Sequence, residues 1–516
     1  MKNAGITVWD STKSMNGSEN LRVYSVISKA TDMLRFSYSN EIGSTAAAPS
    51  GMISRLRRIF PNAKQTSTAS LNHAGETDAA AFAELASGIR NMIDSGEINE
   101  SLNSLYSHFS GSESYFSRLD MLDKMFFNDN SPAALGSETA MRLYGRQLMG
   151  TATRLETFNQ CPFRYLIQFG MRLKERPQRT EKANDRGSFI HEAFDKLIKE
   201  YLNSNCDFST ISAADIHEKL ERILPPMMIE HNNGILLDSA RMRAEFQRIA
   251  ELVETAALAV VKQINAGKFR PFASEVNFGH DNDAYPPLRI QAENGVTYSI
   301  TGIADRVDKY VSPSNEEFIR IIDYKTYGQT FDYTELANGL RIQLPLYASA
   351  MQNAMRKETN NPLFAAGMYY LHIGDAQASE GISEDKAETE IQRSFRMNGL
   401  TLNDENILEA MDSAFPGSSD VLYGVRYSKK EGMFKGSLAD EDEMEETLEF
   451  AKKIAGKTLR AIMRGRIEVS PTEYHGKTAC KYCPYISICC FDTTAGCRYR
   501  RPRAVDADKF FGRENK

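Results

Sequence analysis

The sequence predicts a mixed α/β core carrying large helical additions, and three observations predict it. Apolar residues recur at helical spacing from about 151 to 265. The period then switches to that of strands through TYSITGIADRVDKYV (297–311) and EFIRIIDYKTY (317–327). It returns to helix in ELANGLRIQLPLYASAMQNAM (335–355). Helices on either side of a short, antiparallel-leaning sheet are the pattern of a sheet with helices packed upon it.

Taken in order, LRVYSVI (21–27) and MLRFSYS (33–39) read as strands, and MISRLRRIF (52–60) follows a Pro-Ser start as an amphipathic helix. The polar stretch KQTSTASLNHAGETD (64–78) marks a boundary, and residues 79–148 read as helical, MRLYGRQLM included. In TRLETFNQCPFRY, Thr153 is placed to cap a helix, with Glu156 three residues on as in a capping box. GSFIHEAFDKLIKEYL (187–202) and further helices over 212–265 come next. Strands FASEVNFGH, LRIQAEN and those named above follow, turned by SPSNE (312–316). GMYYLHI (367–373) is one more strand, helices run to about 465, and a cysteine-rich segment comes last. Four pieces result: 1–65, a helical connection over 66–150, the α/β core at 151–465, and a cysteine segment at 466–516 that packs on the core.

Composition is that of a globular chain, with 41% apolar and 25% charged residues among 516. No apolar run approaches the ~20 residues of a membrane span, and MKNAGITVWDSTKS has no apolar signal region. An odd count of seven cysteines, clustered at one end, argues for a metal site in a reducing cytosol over a disulfide framework. Net charge is −6 but uneven: MRLKERPQRTEKANDR (171–186) and CRYRRPR (497–503) are basic, as a phosphate backbone requires. HGKT (475–478) imitates a nucleotide-binding loop, but Pro471 stands where that loop needs glycine, so no ATP site is evident.

Two sets of residues carry chemistry. Asp323 and Lys325 are two apart on a strand and leave one face. A hairpin through SPSNE returns Asp323 beside Asp305, and two carboxylates brought together are relieved by a divalent cation, Mg²⁺ or Mn²⁺. A lysine beside that cation can orient water and stabilise developing negative charge. His191, in GSFIH, could present an imidazole to the same ion; Glu275 begins a strand upstream; Gln343 and Tyr347 share a helical face. The second set is Cys480, Cys483 and Cys489, a C-x2-C-x5-C run one ligand short of a tetrahedral iron or zinc site. Cys490 is adjacent to Cys489 and projects elsewhere.

The order GxxxH (Gly187 to His191), GIADRVD, IIDYKT, QLPLY resembles the RecB-like branch of the PD-(D/E)xK nucleases, with a restriction-endonuclease-like mixed sheet flanked by helices. The resemblance implies that Asp305 and Asp323 ligate Mg²⁺ with His191 assisting, and that Lys325 is the catalytic lysine. Gln343 and Tyr347 would be a supporting pair toward DNA or the lysine, and Glu275 an accessory acid. Within that family, the settings NQCPFRY and CKYCPYISIC resemble the B subunits of AddAB-type helicase–nucleases. There a [4Fe–4S] cluster is held by one cysteine before the core and three after it, which implies Cys161 as the fourth ligand. Clasping residue 161 to 480 would remove on the order of 5 kcal/mol of unfolded-chain entropy. The implied activity is single-strand, exonucleolytic DNA cleavage in the bacterial cytoplasm, beside an AddA-type helicase/nuclease subunit, in double-strand-break repair. Residues 1–65 would be a remnant of a helicase-like domain, and the chain resembles the C-terminal portion of such a subunit. The alternatives are a stand-alone iron–sulfur exonuclease of the CRISPR-adaptation type and a non-catalytic DNA-binding scaffold. Phe163 and Tyr165 are candidates to stack on bases, against the commoner role of aromatics in a core.

Overall fold

The computed structural model describes residues 11–513 except 40, 43–44, 66–76, 96–99, 128–133, 177–182, 205, 293–294, 375–382 and 496. Most of the polar boundary at 64–78 and part of the basic strip at 171–186 therefore lie outside the described residues. The chain divides into two compact units, Met1–Phe126 and Phe127–Lys516. No helix among the described residues is long and apolar enough to cross a membrane.

The first unit is built mainly of helices. Leu21–Ile27 lies in the helix Ser11–Ile27, and 33–39 has no regular structure, so neither expected strand forms. The reason is backbone supply: a strand needs a neighbour for its ladder, whereas a helix satisfies its own N–H and C=O groups. MISRLRRIF does form the helix Gly51–Ile59, with the Ser50 hydroxyl accepting from the Met52 amide. Helices Asp78–Ser95, Glu100–Ser110 and Phe116–Phe127 close on a small core of Leu85, Phe109 and Leu122.

The second unit is organised by a six-stranded mixed sheet. Its strands are β1 (Arg270–Phe278), β2 (Gly302–Val311), β3 (Glu317–Lys325), β4 (Leu363–His372), β5 (Asn398–Leu402) and β6 (Leu438–Ala439), in the spatial order β6-β5-β4-β3-β2-β1. Pairs β1–β2, β2–β3 and β4–β5 are antiparallel, while β3–β4 and β5–β6 are parallel. The sheet is thus larger than its sequence suggests: β5 and β6 lie inside the stretch expected to be all helix up to 465. A parallel β3–β4 pair needs a crossover, and the segment with Tyr333–Ala337 and Gln343–Met355 supplies it. That segment is two helices where one was expected. Gly339 at φ 68° is the break, a backbone state glycine adopts without penalty.

Four helices matter below: α1 (Ala152–Gln160), α2 (Ala183–Asn203), α3 (Gln343–Met355) and α4 (Glu441–Met463). Before them, MRLYGRQLM splits. The helix Ser137–Tyr144 stops at Gly145, φ 79°, and Gln147–Gly150 pairs in parallel with Thr297–Ile300 in a separate three-stranded sheet. α1 departs from expectation in its cap. Thr151, not Thr153, is the N-cap and makes no side-chain bond, and Glu156 is turned to another use.

Candidate active site and cysteine clasp

The β2–β3 ladder ends with Arg306 opposite Ile322, and its register, carried one step further, points Asp305 toward Asp323. Side chains opposite each other in an antiparallel pair stand about 5 Å apart at Cβ. The Tyr324 amide donates to Asp305 Oδ2 at 2.6 Å, fixing that carboxylate where the β2–β3 ladder stops. His191 Nδ1, on α2, lies 3.3 Å from the same oxygen. The Gln343 carboxamide, at the first position of α3, donates to Asp323 Oδ1 at 2.9 Å. Lys325 forms an ion pair with Asp323 Oδ2.

Electrostatics follow from this crowding. Burial, and behind it the Asp305 charge, push the Asp323 carboxyl up to about 6 against the pull of Lys325. Burial works to lower His191, but the Asp305 carboxylate outweighs it and holds the imidazole above its ordinary value. Glu275 sits at φ 44°, an uncommon conformation for a non-glycine residue. It falls opposite Asp305 on the continuing β1–β2 register. Burial raises its carboxyl, as do the charges of Asp195 and Asp305. Glu275 therefore belongs to this neighbourhood.

Tyr347 is 4% exposed and packs against the start of β2, where a Cβ placed on Gly302 would come within 2.4 Å of its hydroxyl; burial, and behind it the charge of Asp323, hold its phenol above the ordinary value. Tyr165 is likewise core at 1% exposure. Phe163 is half-buried and lines the cysteine cavity.

Three functional neighbours escaped the sequence reading. Asp195 and Lys199 follow His191 at i+4 and i+8 on α2 and pair at 2.8 Å, a spacing that was legible. Glu156 is 8% exposed, and its Oε1 accepts from the Ile342 amide at 2.7 Å and the Gln343 amide at 2.9 Å. Its place in a capping-box pattern concealed this role.

The cysteine segment lies against α1. Cys161 is the residue that ends α1, and Cys161, Cys480, Cys483 and Cys489 line one cavity with Phe163 and Tyr485. The Thr472 amide donates to the Gln160 carbonyl at 2.9 Å, and the Tyr485 hydroxyl to the Leu173 carbonyl at 2.9 Å. Burial pushes the Cys480 thiol up to about 11, with the other three thiols adding to the shift. Part of the basic strip is spent internally: Arg500 donates to the Asn159 carbonyl, and Arg501 lies 3.4 Å from Glu473. In HGKT, His475 and Gly476 form the turn of a short hairpin and Lys477–Thr478 is its second strand, paired with Glu473–Tyr474. Among the described residues, no group of three or more His, Cys, Asp or Glu side chains is gathered closely enough to hold a metal ion as it stands. The donor types nonetheless suit two different groups: hard carboxylates at the β2–β3 end and four thiols around a cavity.

A family description of the PD-(D/E)XK nuclease superfamily matches residues 151–490. The chain belongs to this superfamily. Asp305 and Asp323, together with Cys161, Cys480, Cys483 and Cys489, fall inside the matched stretch. The chain is also 30% identical over 513 residues to the B subunit of the ATP-dependent helicase/deoxyribonuclease of Clostridium tetani, covering 97% of this chain and 44% of that protein. The B subunits of the same name from Acetivibrio thermocellus and Alkaliphilus metalliredigens are 28% and 27% identical, covering 96% and 95% of this chain. The chain thus spans less than half the length of these relatives, 44% and 43% for the latter two.

Proposed function

We propose that the chain is a deoxyribonuclease dependent on Mg²⁺, with Mn²⁺ as a substitute. It cuts a single strand exonucleolytically within a helicase–nuclease complex. The partner would be an AddA-type helicase/nuclease subunit, and the setting double-strand-break repair in a bacterial cytoplasm. Membership of the nuclease superfamily and the names of the relatives support this. The single observation that carries it is the gathering of acids where the β2–β3 ladder ends: Asp305 is held by the amide of Tyr324, the residue after Asp323, and Lys325 is paired with Asp323.

In this reading Asp305 and Asp323 hold the cation, with His191 beside Asp305. A bound hard cation supplies Lewis-acid polarisation and makes water acidic enough to attack near neutral pH. The rest is done by the chain. Gln343 fixes the rotamer of Asp323, so one carboxylate oxygen keeps a set direction. Lys325 is 23% exposed at its side chain, so its ammonium can leave Asp323 to meet negative charge developing on the phosphate. Tyr347 and Gly302 keep the start of β2 from shifting. Cys161, Cys480, Cys483 and Cys489 would hold a [4Fe–4S] cluster with a structural role.

The test is digestion of end-labelled linear DNA, single- and double-stranded, by the full chain with Mg²⁺, with and without the AddA-type subunit. The proposal expects metal-dependent shortening that Asp323→Ala abolishes. Undegraded DNA under every condition, or full activity in the variant, would refute it. For the cluster, anaerobically purified protein should be brown and contain iron, and Cys161→Ser should be colourless; a colourless parent with bound zinc would overturn that part.

A further inference from the structure

Helix α1 touches the nuclease site and the cysteine cavity at once. Its last turn gives way to Cys161, which lines the cavity. Two of its side chains reach across about 180 residues of sequence to the turn that starts α3. The Asn159 carboxamide donates to the Gly339 carbonyl at 3.0 Å. Glu156 accepts from both the Ile342 and Gln343 amides. The first amides of a helix have no partner within it, and α3 has no side-chain cap of its own, so Glu156 provides what its sequence lacks. The residue so held, Gln343, is the one that donates to Asp323.

We propose that Glu156 is a positioning residue: it sets the first turn of α3 so that Gln343 meets Asp323, and it makes that contact depend on the helix that ends at Cys161. This rests on the nuclease reading for its consequence in catalysis, but the clamp itself does not. Anything that displaces the end of α1, loss of whatever the four cysteines hold included, would reach the acidic pair by this route. Glu156 would act only through Gln343 and would not touch DNA.

Three variants of the full chain separate the possibilities. Glu156→Met keeps side-chain length and removes the acceptor; Glu156→Gln keeps an accepting oxygen; Gln343→Ala removes the group acted upon. Glu156→Met should lower kcat on DNA roughly 10- to 100-fold, the usual size for a residue that orients a metal ligand, and leave KM within about twofold. Glu156→Gln should retain most of the activity. The Glu156→Met, Gln343→Ala double variant should be no slower than the slower single one, because both break the same chain of contacts. Hydrogen exchange gives a reading that needs no catalysis: the Ile342 and Gln343 amides should be protected in the parent and in Glu156→Gln, and unprotected in Glu156→Met. Multiplying rate effects in the double variant, or amides still protected in Glu156→Met, would overturn the proposal. A chain that cuts no DNA yet passes the exchange test would refute the nuclease reading and leave the clamp standing. Should Glu156→Met fail to fold, Glu156→Asp withdraws the carboxylate by one methylene and is read the same way.

Discussion

Asp305, Asp323 and Lys325 occupy one set of alternate positions on β2 and β3, while Arg306, Asp308 and Arg320 occupy the other. The second cluster is dry. Asp308 pairs with Arg306 at 2.9 Å and with Arg320 at 2.8 Å, and the side chains of Arg306, Asp308 and Arg320 are 0%, 0% and 1% exposed. The first cluster opens to water through Lys325 and His191, 23% and 25% exposed at their side chains. A sealed ion network cannot change partners without burying a bare charge, so its work is structural. An open one can: an ammonium can leave and a cation or a phosphate oxygen can take its place. The same two strands therefore carry a permanent network and an exchangeable one, told apart by access, not by residue type.

Substitutions in each cluster would break or sharpen this contrast. Asp323→Ala should reduce nuclease rate on the order of 10³-fold, about 4 kcal/mol in barrier, while thermal unfolding shows no loss of stability. A folded, active variant would remove the contrast. Asp308→Ala should do the reverse and lower stability by about 3–5 kcal/mol in denaturant unfolding, because two arginines lose their buried partner. Gly302→Ala drives a methyl into the Tyr347 hydroxyl and should cost about 1–3 kcal/mol, with kcat falling as the end of β2 shifts. The smallest effect is in pH. Asp323 binds its proton more tightly folded than unfolded, so ionising it costs stability above about pH 6, and lowering pH toward 3.8 restores it. Without divalent cation, Asp323→Asn should be more stable than the parent above that pH, with the gap closing as pH falls.

The acidic pair was legible because its determinants are local: a period of two and one turn place Asp323 beside Asp305. The helices α2, α3 and α4 were legible from amphipathic spacing, although Gly339 divided one expected helix. What stayed hidden depended on distant partners. Leu21–Ile27 has the composition of a strand but forms helix. β5 was absorbed into an expected helical run because its edges are set by β4 and β6. Glu156 matched a capping box at three-residue spacing, and only the approach of Ile342 and Gln343 assigns it otherwise. Nothing in the local sequence marks Arg306 and Arg320 as buried, and their burial appears only when Asp308 is placed between them.

The hold of Glu156 on α3 is made to backbone amides in a dry setting, where dissolved ions do not reach. Contacts between basic side chains and a phosphate backbone weaken steeply as ionic strength rises. Raising salt should therefore increase the DNA concentration needed for half-maximal rate and leave the turnover of bound strands nearly untouched. Grip on the polymer and alignment of the acids would answer to separate controls.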